Sequence, residues 1–392
     1  MSREVVIVSA KRTAIGSFQG SLAAVTAPQL GSIAIRAALQ QAKLDGNDVE
    51  EVLMGCVLPS GMGQAPARQA SRGAGIPDAV GCVTLNKMCG SGLKAVMQAA
   101  QVIKAGDARV VVAGGMESMS NVPYYLPAAR SGYRMGHAKV VDGMIHDGLW
   151  DPYNDFHMGN AGELCAREFG ISRDRQDEFA RESYRRAQAA VREGLFKREI
   201  VAVEIAQKKG PAKLVVDDEE PFRGDPEQLE SLRPAFDSQG TITAGNASSV
   251  NDGASALVIM DQAEAVRRGL EPLARIVAYS GHAQAPEWFT TAPAGAIETL
   301  LRKTGHKISD VDVWEINEAF SVVALVNQDK LGIALERMNV RGGAIALGHP
   351  IGCSGARILT TLVHTMIDTG KKRGVASLCI GGGEAVAIMV ER

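Results

Sequence analysis

Two distant stretches of this chain read as copies of one unit, and a duplication of that kind restricts the fold more than any other feature. The first runs Asn86-Lys87-Met88-Cys89-Gly90-Ser91-Gly92-Leu93-Lys94-Ala95, then a helical stretch, a strand at 110–112 and Gly114-Gly115-Met116-Glu117. The second runs Gly348-His349-Pro350-Ile351-Gly352-Cys353-Ser354-Gly355-Ala356-Arg357, then a helical stretch, a strand at 376–380 and Gly381-Gly382-Gly383-Glu384. Ser-Gly opens the helix in both, and a Gly-Gly-X-Glu phrase closes the following strand in both. The repeat is about 270 residues long, which is one duplication and not a solenoid unit.

The surrounding sequence fits an α/β protein. Strand-like runs at 5–8, 52–57, 82–85 and 110–113 alternate with helical runs at 29–42, 64–74 and from Ser91. Apolar strands between helices predict parallel pairing, buried on both faces. The alternation lapses between about 119 and 249, where turns, aromatic residues and a charged helix at 174–192 stand. Ser172 and Gly194 bound that helix as start and stop signals. An acidic cluster, Asp217 to Glu220, ends at Pro221. This region reads as an insertion. From 256–260 the alternation resumes, and from 273 the order of the first part repeats. The division is a first half at 1–119 plus 250–270, an inserted loop domain at 120–249, and a second half at 271–392.

The totals exclude several classes. A chain of 392 residues exceeds one core of usual size. A net charge of −2 gives no general attraction to nucleic acid or anionic membrane. Six cysteines in this length are no disulfide scaffold, and no CxxC pair or ligand-spaced histidine cluster predicts a metal site. No apolar run reaches the roughly 18 residues of a membrane span. The first residues enter a strand at once, leaving no leader peptide to read. Free thiols and these absences make the cytoplasm the expected compartment.

Cys89 is the best nucleophile candidate. It precedes Gly90-Ser91-Gly92 and a helix, so backbone N–H groups and the helix dipole are expected to favour its thiolate. The bland reading, a buried structural thiol, suits Cys56, Cys82, Cys165 and Cys353. His349 stands in a Gly-His-Pro turn that fixes its backbone, as a base and hydrogen-bond donor requires; a turn histidine is also commonly inert. Cys379 ends an apolar strand and meets three glycines. Their N–H groups can cradle an oxyanion, although a plain turn between strands is the alternative. No lysine follows as a Walker motif needs. Asn317, in Asn317-Glu318-Ala319-Phe320, sits where strand gives way to helix. It is read either as a cap or as an amide that orients a water or substrate carbonyl. A thiol, an imidazole and a second thiol from two halves point to thioester chemistry.

Together these phrases resemble the thiolase family over nearly the whole chain, from Val5-Val6-Ile7-Val8-Ser9-Ala10-Lys11-Arg12-Thr13 to Cys379-Ile380-Gly381-Gly382-Gly383. The resemblance implies a five-layered αβαβα fold from two similar halves, an inserted loop domain for coenzyme A binding and subunit contacts, and a homotetramer arranged as a dimer of dimers. It implies an acyltransferase condensing two acetyl-CoA to acetoacetyl-CoA plus coenzyme A, reversibly, by a ping-pong route. Cys89 resembles the nucleophile, His349 its base, Cys379 the acid/base at C2, and Asn317 the holder of a water in one oxyanion hole. The backbone N–H groups of Cys89 and Gly381 would form the other. His157, Met158, Ala247, Ser248 and Phe320 resemble substrate contacts, and Arg223 an approach to the adenine end. Coenzyme A is then substrate and product. No cofactor, metal, nucleic acid or membrane is implied.

Three positions depart from the family pattern: Arg341 before Gly-Gly-Ala, Glu384-Ala385 after the glycine triplet, and Trp288-Phe289 near the acyl pocket. The close alternative is a 3-ketoacyl-CoA thiolase of broader chain length in fatty-acid β-oxidation. A decarboxylating ketoacyl synthase would use two histidines with its cysteine. A non-catalytic coenzyme A carrier would not need the intact thiols and imidazole. A cysteine protease leaves Cys379 and the duplication unexplained.

Overall fold

The computed structural model describes residues 3–392. Nine strands carry the architecture: Val5–Thr13 (β1), Glu51–Gly55 (β2), Gly81–Leu85 (β3), Val110–Ser118 (β4), Asn251–Asp261 (β5), Ala274–Ala283 (β6), Val313–Ile316 (β7), Arg373–Ile380 (β8) and Glu384–Glu391 (β9). Their hydrogen-bonded order is β7-β8-β9-β6-β1-β5-β4-β2-β3. The five strands at the β3 end belong to the first half and the four at the β7 end to the second. Only Val6 and Ile7 of β1, opposite Arg275 and Ala274 of β6, join the two sets.

Side-chain alternation along these strands builds the layers, because successive residues face opposite sides of a sheet. In β1, Val6 and Val8 pack outward with helix Ala27–Gln41 (α1) and helix Pro66–Gly73 (α2). Val5 and Ile7 pack inward, with helix Ser91–Ala105 (α3) and helix Ile351–Thr369 (α4). In β9, Val386, Ile388 and Val390 face the same two helices. Ala385, Ala387 and Met389 face the opposite side, toward helices Ala292–Thr304 and Ser321–Leu331. Three apolar cores thus separate five layers, αβαβα, with α3 and α4 in the middle.

These central helices touch backbone to backbone. A Cβ built on Gly92 would lie 2.7 Å from the Ala356 nitrogen, and one on Gly355 2.4 Å from the Leu93 nitrogen. The repeated Ser-Gly is therefore the crossing point of the duplication, and glycine is required there on both sides.

Among these nine strands parallel pairing is confined to β2–β3, β2–β4 and β7–β8; beyond them, Arg12 and Thr13 of β1 also pair in parallel with Ile200 and Val201. The other ladders are antiparallel, against the sequence expectation. Gly382 and Gly383, at φ +93° and +85°, reverse the chain between β8 and β9 and so force an antiparallel pair. Burial on both faces holds despite this. Gly114 and Gly115 form no turn, contrary to the reading of a matched glycine turn; they lie inside β4 opposite Ala256 and Ser255. A Cβ on Gly115 would lie 2.0 Å from the Gly352 carbonyl oxygen, so Gly115 admits the second half's backbone, whereas one on Gly114 would lie 2.0 Å from the Ser255 carbonyl oxygen of β5.

Between β4 and β5 the chain forms short strands, helix Met158–Glu168 and helix Arg173–Arg192. Ser172 caps the latter, its Oγ accepting from the Arg175 N–H. The acidic cluster fastens this region to the first sheet. Asp218 takes both ends of the buried Arg12 guanidinium at 2.7 and 2.8 Å, and Glu219 accepts from the Ser17 and Ser21 N–H groups. Arg341, one of the departures, is held by the Leu195 carbonyl at 2.9 Å and Asp368 at 2.7 Å. Among the described residues no helix is long and apolar enough to cross a membrane.

Candidate active site

Cys89 is presented by a tight turn ahead of α3. Met88 is held at φ +46°, a region that costs a non-glycine residue about 1 kcal/mol or more. Two polar side chains fix it there. The Asn86 carbonyl oxygen accepts from the Met88 N–H at 2.9 Å. The Ser91 hydroxyl accepts from the Lys87 N–H at 2.8 Å and donates to the Met88 carbonyl at 2.6 Å. Gly90 is needed because a Cβ there would lie 2.4 Å from Ile380 Cδ1, at the end of β8.

His349 comes from the second half, between the short helix Ala344–Leu347 and α4. Gly348 turns the chain at φ +96° against Asn251, whose side-chain oxygen accepts from the His349 N–H at 2.8 Å. The Asn251 amide also donates to the Gly16 carbonyl and to Glu220, so β5, the insertion and the histidine turn share one residue. The His349 ring is buried. Its Nδ1 lies 2.6 Å from the Ser354 hydroxyl, while Nε2 has no hydrogen-bond partner within the protein.

One cavity of about 240 Å³ is lined by Cys89, His349 and Gly381 from the two halves and by His157, Met158, Ala247, Ser248, Phe289 and Phe320. The backbone N–H groups of Gly381 and of Cys89 itself favour the Cys89 thiolate. Cys379 is buried at the end of β8, with its thiol in electrostatic contact with Cys89. Asn317 is buried behind the lining; neither its amide nitrogen nor its oxygen has a partner. Orphaned polar atoms of this kind are rare in folded proteins and mark places where a bound group completes the structure.

The remaining residues named from the sequence fall as follows. Ala247 bridges to Phe320, and Ser248 bonds the Ala319 carbonyl through both N–H and hydroxyl, which stitches the insertion to the Asn-Glu-Ala-Phe loop. His157 caps helix Met158–Glu168, accepting from the Gly159 N–H at 3.0 Å, and stacks on Phe236 at 4.7 Å. Arg223 is exposed and stands outside the lining. Phe236, edge-on to Phe320 at 6.0 Å, and Met119, Leu149 and Ile351 also line the cavity and were not singled out. Phe236 lies in irregular chain with no periodicity to reveal it. Ile351 stood unread inside the quoted histidine motif.

Burial dominates the electrostatics. It pushes the Cys89 thiol up to about 11 against the two N–H groups that favour its thiolate. The N–H groups at the helix start favour the thiolate as expected, but burial outweighs them, which leaves a part for a nearby base. Burial drives His349 down to about 3, helped by the nearby Arg357 charge, which favours the neutral imidazole. Cys379 is raised well above the ordinary thiol value by burial and by Cys89. Beneath the site, Glu117 accepts from the N–H groups of Val57, Leu58 and Gly352 and ties the two halves together. Its carboxyl is raised to about 7, burial outweighing those bonds.

Two similar halves bring a thiol, Cys89, and an imidazole, His349, to one apolar cavity, with Cys379 buried outside its lining, an arrangement suited to acyl transfer. Comparison with known proteins agrees. The thiolase N-terminal domain matches residues 5–263 and the thiolase C-terminal domain residues 270–392. Acetyl-CoA acetyltransferase 1 of Arabidopsis thaliana is 54% identical over 391 residues, covering 99% of this chain and 94% of that protein. Proteins named acetyl-CoA acetyltransferase from Schizosaccharomyces pombe and Pseudomonas aeruginosa are 51% and 50% identical, each covering 100% of both chains. The chain belongs to the thiolase family.

Proposed function

We propose that this protein is an acetyl-CoA C-acetyltransferase, joining two acetyl-CoA into acetoacetyl-CoA and coenzyme A and running thiolysis in reverse. The observation that carries the reading is that Cys89 and His349, the latter with an unpaired Nε2, line the same cavity. In the first half-reaction His349 takes the Cys89 proton and the sulfur attacks the thioester carbonyl. The N–H groups of Cys89 and Gly381 hold the oxyanion, and Cys379 protonates the departing coenzyme A. In the second, the Cys379 thiolate removes a C2 proton from a new acetyl-CoA. The enolate oxygen is held by His349 and by a water on Asn317, and the carbanion attacks the acetyl group on Cys89. The Cys89 sulfur leaves and recovers its proton from His349. Losing one oxyanion donor typically costs on the order of 10²–10³ in rate.

Short substrates are favoured because Phe289 is buried and lines the cavity. His157, Met158, Ala247, Ser248 and Phe320 are assigned to the pantetheine side and Arg223 to the adenine end. Residues 120–249 are assigned to coenzyme A binding and subunit contacts. The same reading carries a cytoplasmic homotetramer in lipid metabolism. Exposed apolar side chains at Tyr124, Leu126, Val140 and Tyr153 support subunit contacts, and sedimentation gives the mass. The decisive experiment is brief incubation with radiolabelled acetyl-CoA, followed by steady-state thiolysis across chain lengths. Label on Cys89 and preference for acetoacetyl-CoA are expected. A preference for 3-ketohexadecanoyl-CoA would move the assignment to the broader 3-ketoacyl-CoA thiolase class.

A further inference from the structure

The hydroxyl of Ser354 has one proton and two neighbours that can take it. His349 Nδ1 lies at 2.6 Å and the Pro350 carbonyl oxygen at 3.0 Å. If the proton goes to the carbonyl, the hydroxyl oxygen must accept from Nδ1, so the ring carries Nδ1–H and leaves the Nε2 lone pair free. If it goes to Nδ1, the ring carries Nε2–H and has no lone pair for the Cys89 proton. The duplication supplies an internal precedent. Ser91, the first half's counterpart, donates to the Met88 carbonyl and accepts from the Lys87 N–H, a backbone donor that has no alternative role.

We propose that Ser354 is a positioning residue that fixes His349 as the Nδ1–H tautomer, accepting its proton while donating to Pro350, and so aims Nε2 at Cys89 as an acceptor. This rests on the reading of His349 as the base. The array is Cys89, His349, Ser354, with a neutral hydroxyl where a carboxylate could stand. Ser354 is completely buried, as is its carbonyl acceptor at the start of α4, so water does not compete for either bond. A neutral partner adds no charge to stabilise the imidazolium, which suits a ring that must return its proton within each turnover.

The test is made on the whole enzyme. Nitrogen-15 spectra of histidine-labelled wild type should show His349 as Nδ1–H at neutral pH; an Nε2–H resting ring overturns the proposal without any variant. Ser354→Ala should lower kcat about 10- to 100-fold, the loss usual for an orienting partner, with KM changed less than about twofold. Ser354→Thr, which keeps the hydroxyl, should recover most of it. Full kcat in Ser354→Ala while His349→Ala is inactive removes the role of Ser354 alone. Full activity in His349→Ala removes the underlying reading of the site, and this proposal with it.

Discussion

The starts of the two central helices use the same residues for different ends. In the first half, Ser91 folds back on the backbone at Lys87 and Met88 and holds a strained turn that displays a sulfur. In the second, Ser354 reaches the preceding carbonyl and a ring nitrogen, and so holds a side chain. The glycine that follows each serine does identical work at the crossing of α3 and α4. After duplication the scaffold role stayed common to both copies. The chemistry diverged upstream of that serine, where Cys89 stands two positions before it in one copy and His349 five positions before it in the other.

The largest test of that division of labour is Cys89→Ala. It should abolish acyl labelling and lower turnover by about 10⁴-fold or more, measured by steady-state rates and mass spectrometry of the intact chain; substantial residual turnover through another cysteine would contradict it. Next, Cys379→Ala should lose condensation by about 10³-fold, within the range for a general acid/base, and should slow acylation of Cys89 less, because the departing coenzyme A leaves readily as a thiolate. Unchanged C2 proton exchange in Cys379→Ala would contradict its role as the acid/base.

The crossing glycines probe the shared scaffold. Gly92→Ala and Gly355→Ala should each destabilise by about 1–3 kcal/mol, because the new methyl meets backbone. Urea unfolding measures this, and a large effect in only one of them would mean the two copies are not mechanically equivalent.

Acid and base limbs of stability should separate the halves again. His349 has its pKa lowered from 6.5 to about 3, so the folded state binds fewer protons than the unfolded, and its contribution is lost as pH falls from about 6.5 toward 3. Glu117 is raised from 4.5 to about 7, so the folded state binds more, and its contribution is lost as pH rises from about 4.5 through 7. His349→Ala should flatten the first slope and Glu117→Gln the second in denaturant melts taken across pH. The smallest effect belongs to the Lys87–Glu384 ion pair, which links the two catalytic turns at the surface. Glu384→Gln should cost less than about 1 kcal/mol, and less still in high salt.

Much of this was legible in the sequence because local chemistry and global fold agree. Ser-Gly marked the start of α3, but α4 already begins at Ile351, three residues before Ser354; Ser172 marked the start of the charged helix. Sequence separation hid the rest. Gly114 and Gly115 looked like the close of their strand because nothing nearby reveals that Gly352 presses against Gly115 from the other half and Ser255 of β5 against Gly114. The antiparallel ladders depend on where β5 and β9 return, which composition does not encode. The helix start at Cys89 showed what favours its thiolate; the opposing effect of burial is set by residues hundreds of positions away. Phe236 has meaning only through the rings it meets, His157 and Phe320.

The contact between Gly92 and Ala356, and its mirror between Gly355 and Leu93, leaves no slack at the middle of the molecule. A hinge through that plane would have to pull two backbones apart and empty the middle core. Entry and exit of a bulky thioester must then be accommodated at the rim of the cavity, by the chain segment that the second copy lacks.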